Sequence, residues 1–172
     1  GKPSPIYVDL RRVISSNSLL KKLVRAYEHL MAKLAYDLIA GVPYAALPVS
    51  AVIAWQQGQP LIYPRKEVKS HGTGRAVEGV FSPGQRAVLV EDVITSGGSI
   101  LAAAETLRGA GLIVEDVVVD VDRKQGGLQG LADEGIRVHP ILDIFKIISV
   151  LKDRGIIDGA THRAVKEYLE ND

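Results

Sequence analysis

The sequence contains no cysteine. That excludes a disulfide framework and a thiolate metal site, and it makes a reducing cytoplasm the simplest compartment. No apolar run approaches the ~20 residues needed to cross a bilayer, and the first residues carry no apolar stretch of signal-peptide type. A soluble protein without a membrane partner is expected. Neither sign of charge is in excess, since 21 lysines and arginines face 20 aspartates and glutamates, a net charge of +1. With no global field to attract nucleic acid or an anionic membrane, any anion site must be local. No histidine and carboxylate spacing suggests a zinc site. What is present is 172 residues, one domain's worth, long enough to bury roughly two thirds of the surface of its unfolded chain.

The chain is organised around residues 88–99, Val-Leu-Val-Glu-Asp-Val-Ile-Thr-Ser-Gly-Gly-Ser. Three apolar residues run into adjacent carboxylates, and a Thr/Ser/Gly segment then opens onto the helix-like run 100–107. This order predicts strand, loop and helix start. A buried parallel strand is continuously apolar and β-branched, and in an open α/β sheet ligands bind beyond the carboxyl ends of the strands. Glu91 and Asp92 stand at such an end. Thr95, Ser96, Gly97, Gly98 and Ser99 offer hydroxyls and unobstructed backbone N–H groups at the positive end of a helix dipole, a cradle for phosphate. Acids beside a phosphate would repel it, so they are expected to hold sugar hydroxyls or, through water, a metal ion carried by the same ligand. Together these features describe a ribose 5-phosphate.

Elsewhere the pattern supplies scaffold. Residues 6–10 read as a short strand. Across 19–39, Leu19, Leu20, Leu23, Val24, Tyr27, Leu30, Met31, Leu34 and Leu38 recur at three- and four-residue steps, which predicts one amphipathic helix. His29 lies off that stripe and is assigned no role. A Gly/Pro-bounded turn at 41–48 precedes an apolar helix at 49–55, and Leu61, Ile62 and Tyr63 form a short strand that Pro64 stops. Residues 65–75 then hold Arg65, Lys66, Lys69, His71 and Arg75 against a single acid, Glu67. With Gly72 and Gly74 as hinges, they read either as a solvated charge run or as a mobile basic loop that closes over an anion. A buried strand at 114–121 ends in Asp122 and Arg123, which either pair with each other or face a ligand. A last strand is expected at 136–139, and helices at 141–151 and 159–169. His139 and His162 read as structural or surface residues.

The central stretch resembles the phosphoribosyl-pyrophosphate (PRPP) signature of the type I phosphoribosyltransferases. Arg65-Lys66-Glu67-Val68-Lys69-Ser70-His71-Gly72 and Asp122-Arg123-Lys124-Gln125-Gly126-Gly127 are similar to the other two signatures of the orotate phosphoribosyltransferases. Ser4-Pro5-Ile6-Tyr7-Val8-Asp9-Leu10-Arg11 also fits that family, especially the form fused to orotidylate decarboxylase in UMP synthase. The resemblance covers nearly the whole chain.

It implies one α/β domain over residues 1–172, with a Rossmann-like, mainly parallel sheet, helices on both faces and a small hood. Family members carry a hood helix and a Lys-Ser-Gly turn before the Ser-Pro-Ile-Tyr segment. Lys2 stands too close to Ser4 to be that lysine, so the N-terminal part of the hood is expected to be absent from this chain. The implied reaction is attack of orotate N1 on C1 of PRPP, giving orotidine 5′-monophosphate and pyrophosphate in UMP biosynthesis. Lys69, Glu91 and Asp92 would be catalytic. PRPP would be held by Glu91, Asp92, Val93 and Ile94, by Thr95, Ser96, Gly97, Gly98 and Ser99, and at its pyrophosphate by Arg65, Lys66, Lys69 and His71. Charge developing on the leaving pyrophosphate suits cations aimed at it. Tyr44 reads either as a contact to the same end of PRPP or as a packed core aromatic. Some bacterial members have a lysine after the matching tyrosine, where this chain has Ala45.

Arg123 would bind the orotate carboxylate bidentately, with Thr95 and the backbone of Tyr7 and Val8 against the ring. Tyr7 and Val8 read equally as a plain edge strand. Magnesium is expected on the PRPP pyrophosphate, not on a protein metal site. A homodimer whose basic loop serves the neighbouring subunit is implied, with fusion to a decarboxylase domain as a further partner relation. A purine phosphoribosyltransferase would share the central motif but would carry a different base-side loop. A non-enzymatic nucleotide- or RNA-binding regulator on the same fold would keep the cradle and could lose the loop lysines.

Overall fold

The structure, a computed structural model, describes residues 7–66 and 76–170. After a 3-10 turn at Arg11–Ser15, the chain runs α1 (Asn17–Met31), β1 (Leu38–Gly41), α2 (Leu47–Gln57), β2 (Leu61–Pro64), β3 (Val77–Glu78), β4 (Arg86–Ile94) and α3 (Gly98–Gly109). It continues through β5 (Ile113–Asp122), α4 (Gly127–Asp133), β6 (Arg137–Asp143), α5 (Ile144–Asp153) and α6 (Gly159–Glu170). The strands form one six-stranded sheet in the order β3-β2-β1-β4-β5-β6. All neighbours are parallel except β2 and β3. The expected α/β architecture with a mainly parallel sheet is therefore present.

Both faces of the sheet are covered, which is why its central strands are apolar without alternation. On one face Val24, Tyr27 and Met31 of α1 and Ile53 of α2 pack on Ile39, Val88, Val90 and Val118. On the other, Ile100, Ala104 and Leu107 of α3 and Leu131 of α4 pack on Leu38, Ala40, Leu89, Val117 and Val119. Each valine, leucine, isoleucine or methionine among them contributes about 1.5–3 kcal/mol on burial, far more than helix propensity supplies per residue. A third cluster joins Ile144 and Ile148 of α5 to Val165 and Leu169 of α6, with Val8 packed against it.

Four sequence expectations are corrected. The helix expected across 19–39 ends at Met31, and Leu38–Gly41 is a strand buried at all four residues. A four-residue apolar run fits either periodicity, and pairing with β2 and β4 decides for the strand. The strand expected at 6–10 is absent over the described residues 7–10, which have no regular structure before the 3-10 turn. The last strand runs through Pro140 to Asp143, so the following helix starts at Ile144 instead of residue 141. A proline is tolerated there because β6 is an edge strand. Finally, β3 and α4 were not anticipated, being two and seven residues long.

The two ends of the sheet differ electrostatically. At the amino ends, Arg137 donates to both oxygens of Asp116, at 2.9 and 2.7 Å, while His139 Nε2 lies 2.7 Å from Asp116 Oδ1. Arg86 reaches Glu115 at 2.6 Å. Burial alone would raise the Asp116 carboxyl, but Arg137 and His139 outweigh it and hold it below its usual range. At the carboxyl ends the acids of β4 have no such partners among the described residues. The chain leaves β1 toward β2 on one side and resumes with β4 on the other, so the crevice beyond β1 and β4 is the topological switch point where ligands bind in such sheets.

Candidate functional site

Glu91 and Asp92 lie three and two residues from the end of β4, inside the strand and not after it. Glu91 is 5% exposed. Its Oε1 accepts from the Asp92 backbone N–H at 2.9 Å and its Oε2 from the Ser99 hydroxyl at 3.1 Å, which ties the strand end to the start of α3. The Tyr27 hydroxyl donates to the Glu91 carbonyl at 2.7 Å. Burial, reinforced by Asp92, pushes the Glu91 carboxyl up to about 8. Asp92 is half-buried, and its Oδ1 accepts from Val93 N–H at 2.8 Å. Among the described residues neither acid makes an ion pair, so neither is explained as a structural salt bridge.

Thr95, Ser96, Gly98 and Ser99 are exposed, and Gly97 is buried. Gly97 caps α3 with φ +84°, a conformation side chains rarely adopt, and a Cβ there would come within 3.0 Å of Leu131. Gly98 opens to space, with nothing nearer to a built Cβ than Ser96 Oγ at 3.9 Å. The first N–H groups of a twelve-residue helix therefore face an open cradle, as an anion site requires.

The base-side loop is fastened to this cradle through the backbone. Arg123 N–H donates to the Ile94 carbonyl and Gly127 N–H to the Thr95 carbonyl, both at 3.0 Å. The approach is so close that a Cβ on Gly127 would collide with Thr95 O and lie 2.8 Å from Ile94. Asp122 accepts from Lys124 N–H at 2.7 Å, and Lys124 Nζ lies 2.9 Å from its other oxygen. Lys124 is thus an ion-pair partner of Asp122. Arg123 stands half-buried on the loop that touches the cradle.

Arg65 and Lys66 follow β2 directly. Together with Val42, Pro43 and Ser99 they line a cavity of about 220 Å³ beside α3. A second cavity of about 230 Å³ lies among Tyr44, Tyr63, Arg65 and Lys66. Tyr44 is 65% exposed, which rules out the packed-core alternative, and Lys66 Nζ sits 5.2 Å above its ring. Arg65 pairs with Glu78 at 3.3 Å. The Pro43–Tyr44 peptide bond is cis.

The structure thus gathers Glu91, Asp92, Val93, Ile94, Thr95, Ser96, Gly97, Gly98, Ser99, Tyr44, Arg65, Lys66 and Arg123 around one end of the sheet. Lys69 and His71 lie outside the described residues. Tyr7 is 77% exposed, and its hydroxyl accepts from Arg11 at 2.6 Å, whereas Val8 packs against the cluster of α5 and α6. Sequence reasoning missed Asp120, Tyr27 and the packing role of Gly127. An acid set among the valines of β5 was the available signal for Asp120. It is 5% exposed, and burial, then the charge of Asp92, pushes it up to about 7. Among the described residues no group of three or more His, Asp or Glu side chains is placed to hold a metal ion.

Residues 12–135 match the phosphoribosyl transferase domain family. The chain is 41% identical over 158 residues to the bifunctional enzyme PyrF/PyrE of Nostoc sp., covering 92% of this chain and 33% of that protein. It is 36% identical over 170 residues to the orotate phosphoribosyltransferase of Pyrobaculum islandicum, covering 98% and 87%. Among solved structures, the UMP synthase of Leishmania donovani superposes with a TM-score of 0.92 at 33% identity, over 100% of this chain and 37% of that one. The chain therefore spans about a third of the length of the bifunctional relatives and most of the length of the single-function one.

Proposed function

This chain belongs to the phosphoribosyl transferase domain family, among the orotate phosphoribosyltransferases, and on that premise we propose that it transfers the 5-phosphoribosyl group of PRPP to orotate. The products are orotidine 5′-monophosphate and pyrophosphate, in the synthesis of UMP. One observation carries the reading: the base-side loop bearing Arg123 is hydrogen-bonded to residues 94 and 95, so a base-selecting guanidinium and a phosphate cradle form one unit.

Orotate N1 attacks C1 of PRPP as the C1–O bond breaks, the bonding electrons leave on pyrophosphate, and the N1 proton is lost to the departing pyrophosphate or to water. Glu91 and Asp92 take the ribose hydroxyls, and positive charge developing on the ring makes carboxylates beneath it more favourable in the transition state than in the ground state. The loop of Thr95, Ser96, Gly97, Gly98 and Ser99 anchors the 5-phosphate. Arg65, Lys66, Lys69 and His71 attend the pyrophosphate, which brings magnesium with it as part of the substrate. Lys69 is the catalytic cation. Lys66, held over the exposed Tyr44 ring, supplies the positive charge that Ala45 does not. Thr95, Tyr7 and Val8 complete the orotate side. The active species is a cytoplasmic homodimer that shares its basic loops.

The test is orotate absorbance followed with PRPP and magnesium. Loss of orotate with stoichiometric pyrophosphate release is the expected result. Turnover of adenine or hypoxanthine without orotate would overturn it.

A further inference from the structure

The registers Glu91↔Val119 and Val93↔Val121 on parallel β4 and β5 put Asp92 and Asp120 side by side on adjacent strands. They share the face on which Val88, Val90 and Val118 pack under α1. Adjacent strands lie about 4.8 Å apart, so laterally neighbouring residues on one face stand within reach of each other. The groups that face Asp120 are Asp92 from β4, Tyr27 from α1 and, by the Val119↔Pro140 and Val121↔Leu142 register, apolar Ile141 from β6. Along its own strand, Asp122 is already neutralised by Lys124. The nearest imidazole on β6, His139, is engaged by Asp116. Among the described residues no ion pair joins a cation to Asp120 or Asp92. A carboxyl that is 5% exposed beside a second carboxylate is in the situation where the pair keeps one proton between them, because two close like charges in a poorly hydrated place cannot both ionise.

We propose that Asp120 is a positioning residue for the ribose-binding carboxylate: it stands as a neutral acid whose O–H donates to Asp92 and leaves the outer oxygen of Asp92 turned to the sugar hydroxyls. The proton also removes one negative charge from beneath a polyanionic substrate. The inference rests on the phosphoribosyl-transfer reading and deepens it. Asp92 touches the substrate, and Asp120 acts through Asp92.

Two variants and two readouts test it. In Asp120→Asn the amide N–H₂ still donates, so kcat/KM for PRPP should stay within about threefold of wild type. In Asp120→Val the donor is gone, and kcat/KM for PRPP should fall by about tenfold or more, with KM for orotate unmoved. Infrared difference spectra of wild type minus Asp120→Asn near pH 6 should show the C=O stretch of a protonated carboxylic acid. The neutral Glu91 carboxyl is common to both proteins and cancels in the difference; a difference spectrum without the band overturns the proposal, as do Asp120→Val equal to wild type and Asp120→Asn as impaired as Asp120→Val. Should Asp120→Val fail to fold, Asp120→Asn with its spectrum still decides. A wild-type protein that turns over no orotate would overturn the transferase reading, and this inference with it. Wild-type turnover with an insensitive Asp120 overturns this inference alone.

Discussion

Glu91→Gln should make the unliganded protein more stable while nearly abolishing its activity. In the folded chain the Glu91 carboxyl is pushed up from 4.5 to about 8, chiefly by burial and then by Asp92. A raised carboxyl means that the folded state holds a proton which the unfolded chain has released. Below about pH 4.5 both states are protonated and nothing is lost. Between there and about pH 8 stability falls by up to ~1.4 kcal/mol per pH unit, and at pH 7 the accumulated loss is on the order of 3 kcal/mol. Glutamine is permanently neutral and removes this loss. It keeps an oxygen for the Asp92 N–H but gives up the acceptor now used by the Ser99 hydroxyl. A net gain on the order of 1–2 kcal/mol is therefore expected at pH 7, a rise in Tm of roughly 2–8 °C for a chain of this size. Turnover should drop by about thirty-fold or more, because glutamine cannot ionise to the carboxylate that the positive charge developing on the ribose favours. The assay is calorimetric melting of both proteins from about pH 4 to pH 8.5 without ligand. At the acid end the variant should be the less stable by the lost Ser99 contact, and the curves should cross and diverge in its favour as pH rises. A variant less stable at every pH, or a gain that does not grow with pH, would refute the reasoning, because the Glu91 environment would then favour the ionised form.

Three further outcomes are expected. Arg123→Ala should lower kcat/KM for orotate by about thirty-fold or more, on the order of 2–4 kcal/mol for a bidentate charged contact, and leave PRPP binding nearly unchanged; equal losses for both substrates in steady-state kinetics would make Arg123 structural. Gly127→Ala forces residues 94–95 away from the base-side loop, since its Cβ has no room beside Thr95 O. It should cost about 1–3 kcal/mol in denaturant unfolding and raise KM for both substrates, and unchanged melting with unchanged kinetics would contradict that packing. Mixing Lys69→Ala with Arg123→Ala chains after reversible dissociation should restore about a quarter of wild-type activity if basic loops act across a two-fold axis. Mixed dimers confirmed by mass spectrometry but without recovered activity would place the loop in its own subunit's site.

The central motif was legible because its determinants are local. A β-branched apolar run, two acids, and small hydroxyl-bearing residues before a helix specify strand, cradle and helix start through backbone geometry alone, and the structure has β4, the 95–99 loop and α3 in that order. Gly97 fits the same logic, since its positive φ is a demand of the turn itself. Where two structures satisfy one pattern, sequence reasoning went astray. Leu38 continues the α1 stripe as well as it opens a buried strand, and only hydrogen bonds to β2 and β4 separate the two. Pro140 signals a stop until β6 is known to be an edge, where a missing N–H is harmless. Charge pairing was less legible still. Asp122 pairs with Lys124, which adopts a left-handed backbone, φ +58°, beside the carboxylate, a conformation that no local pattern announced. Asp120 and Asp92 are 28 positions apart in the chain. The sequence determined that a carboxylate would stand at the end of β4. That a second acid stands beside it, buried and with no ion pair among the described residues, was decided by the register of two parallel strands, and a pairing register is a property of the assembled sheet.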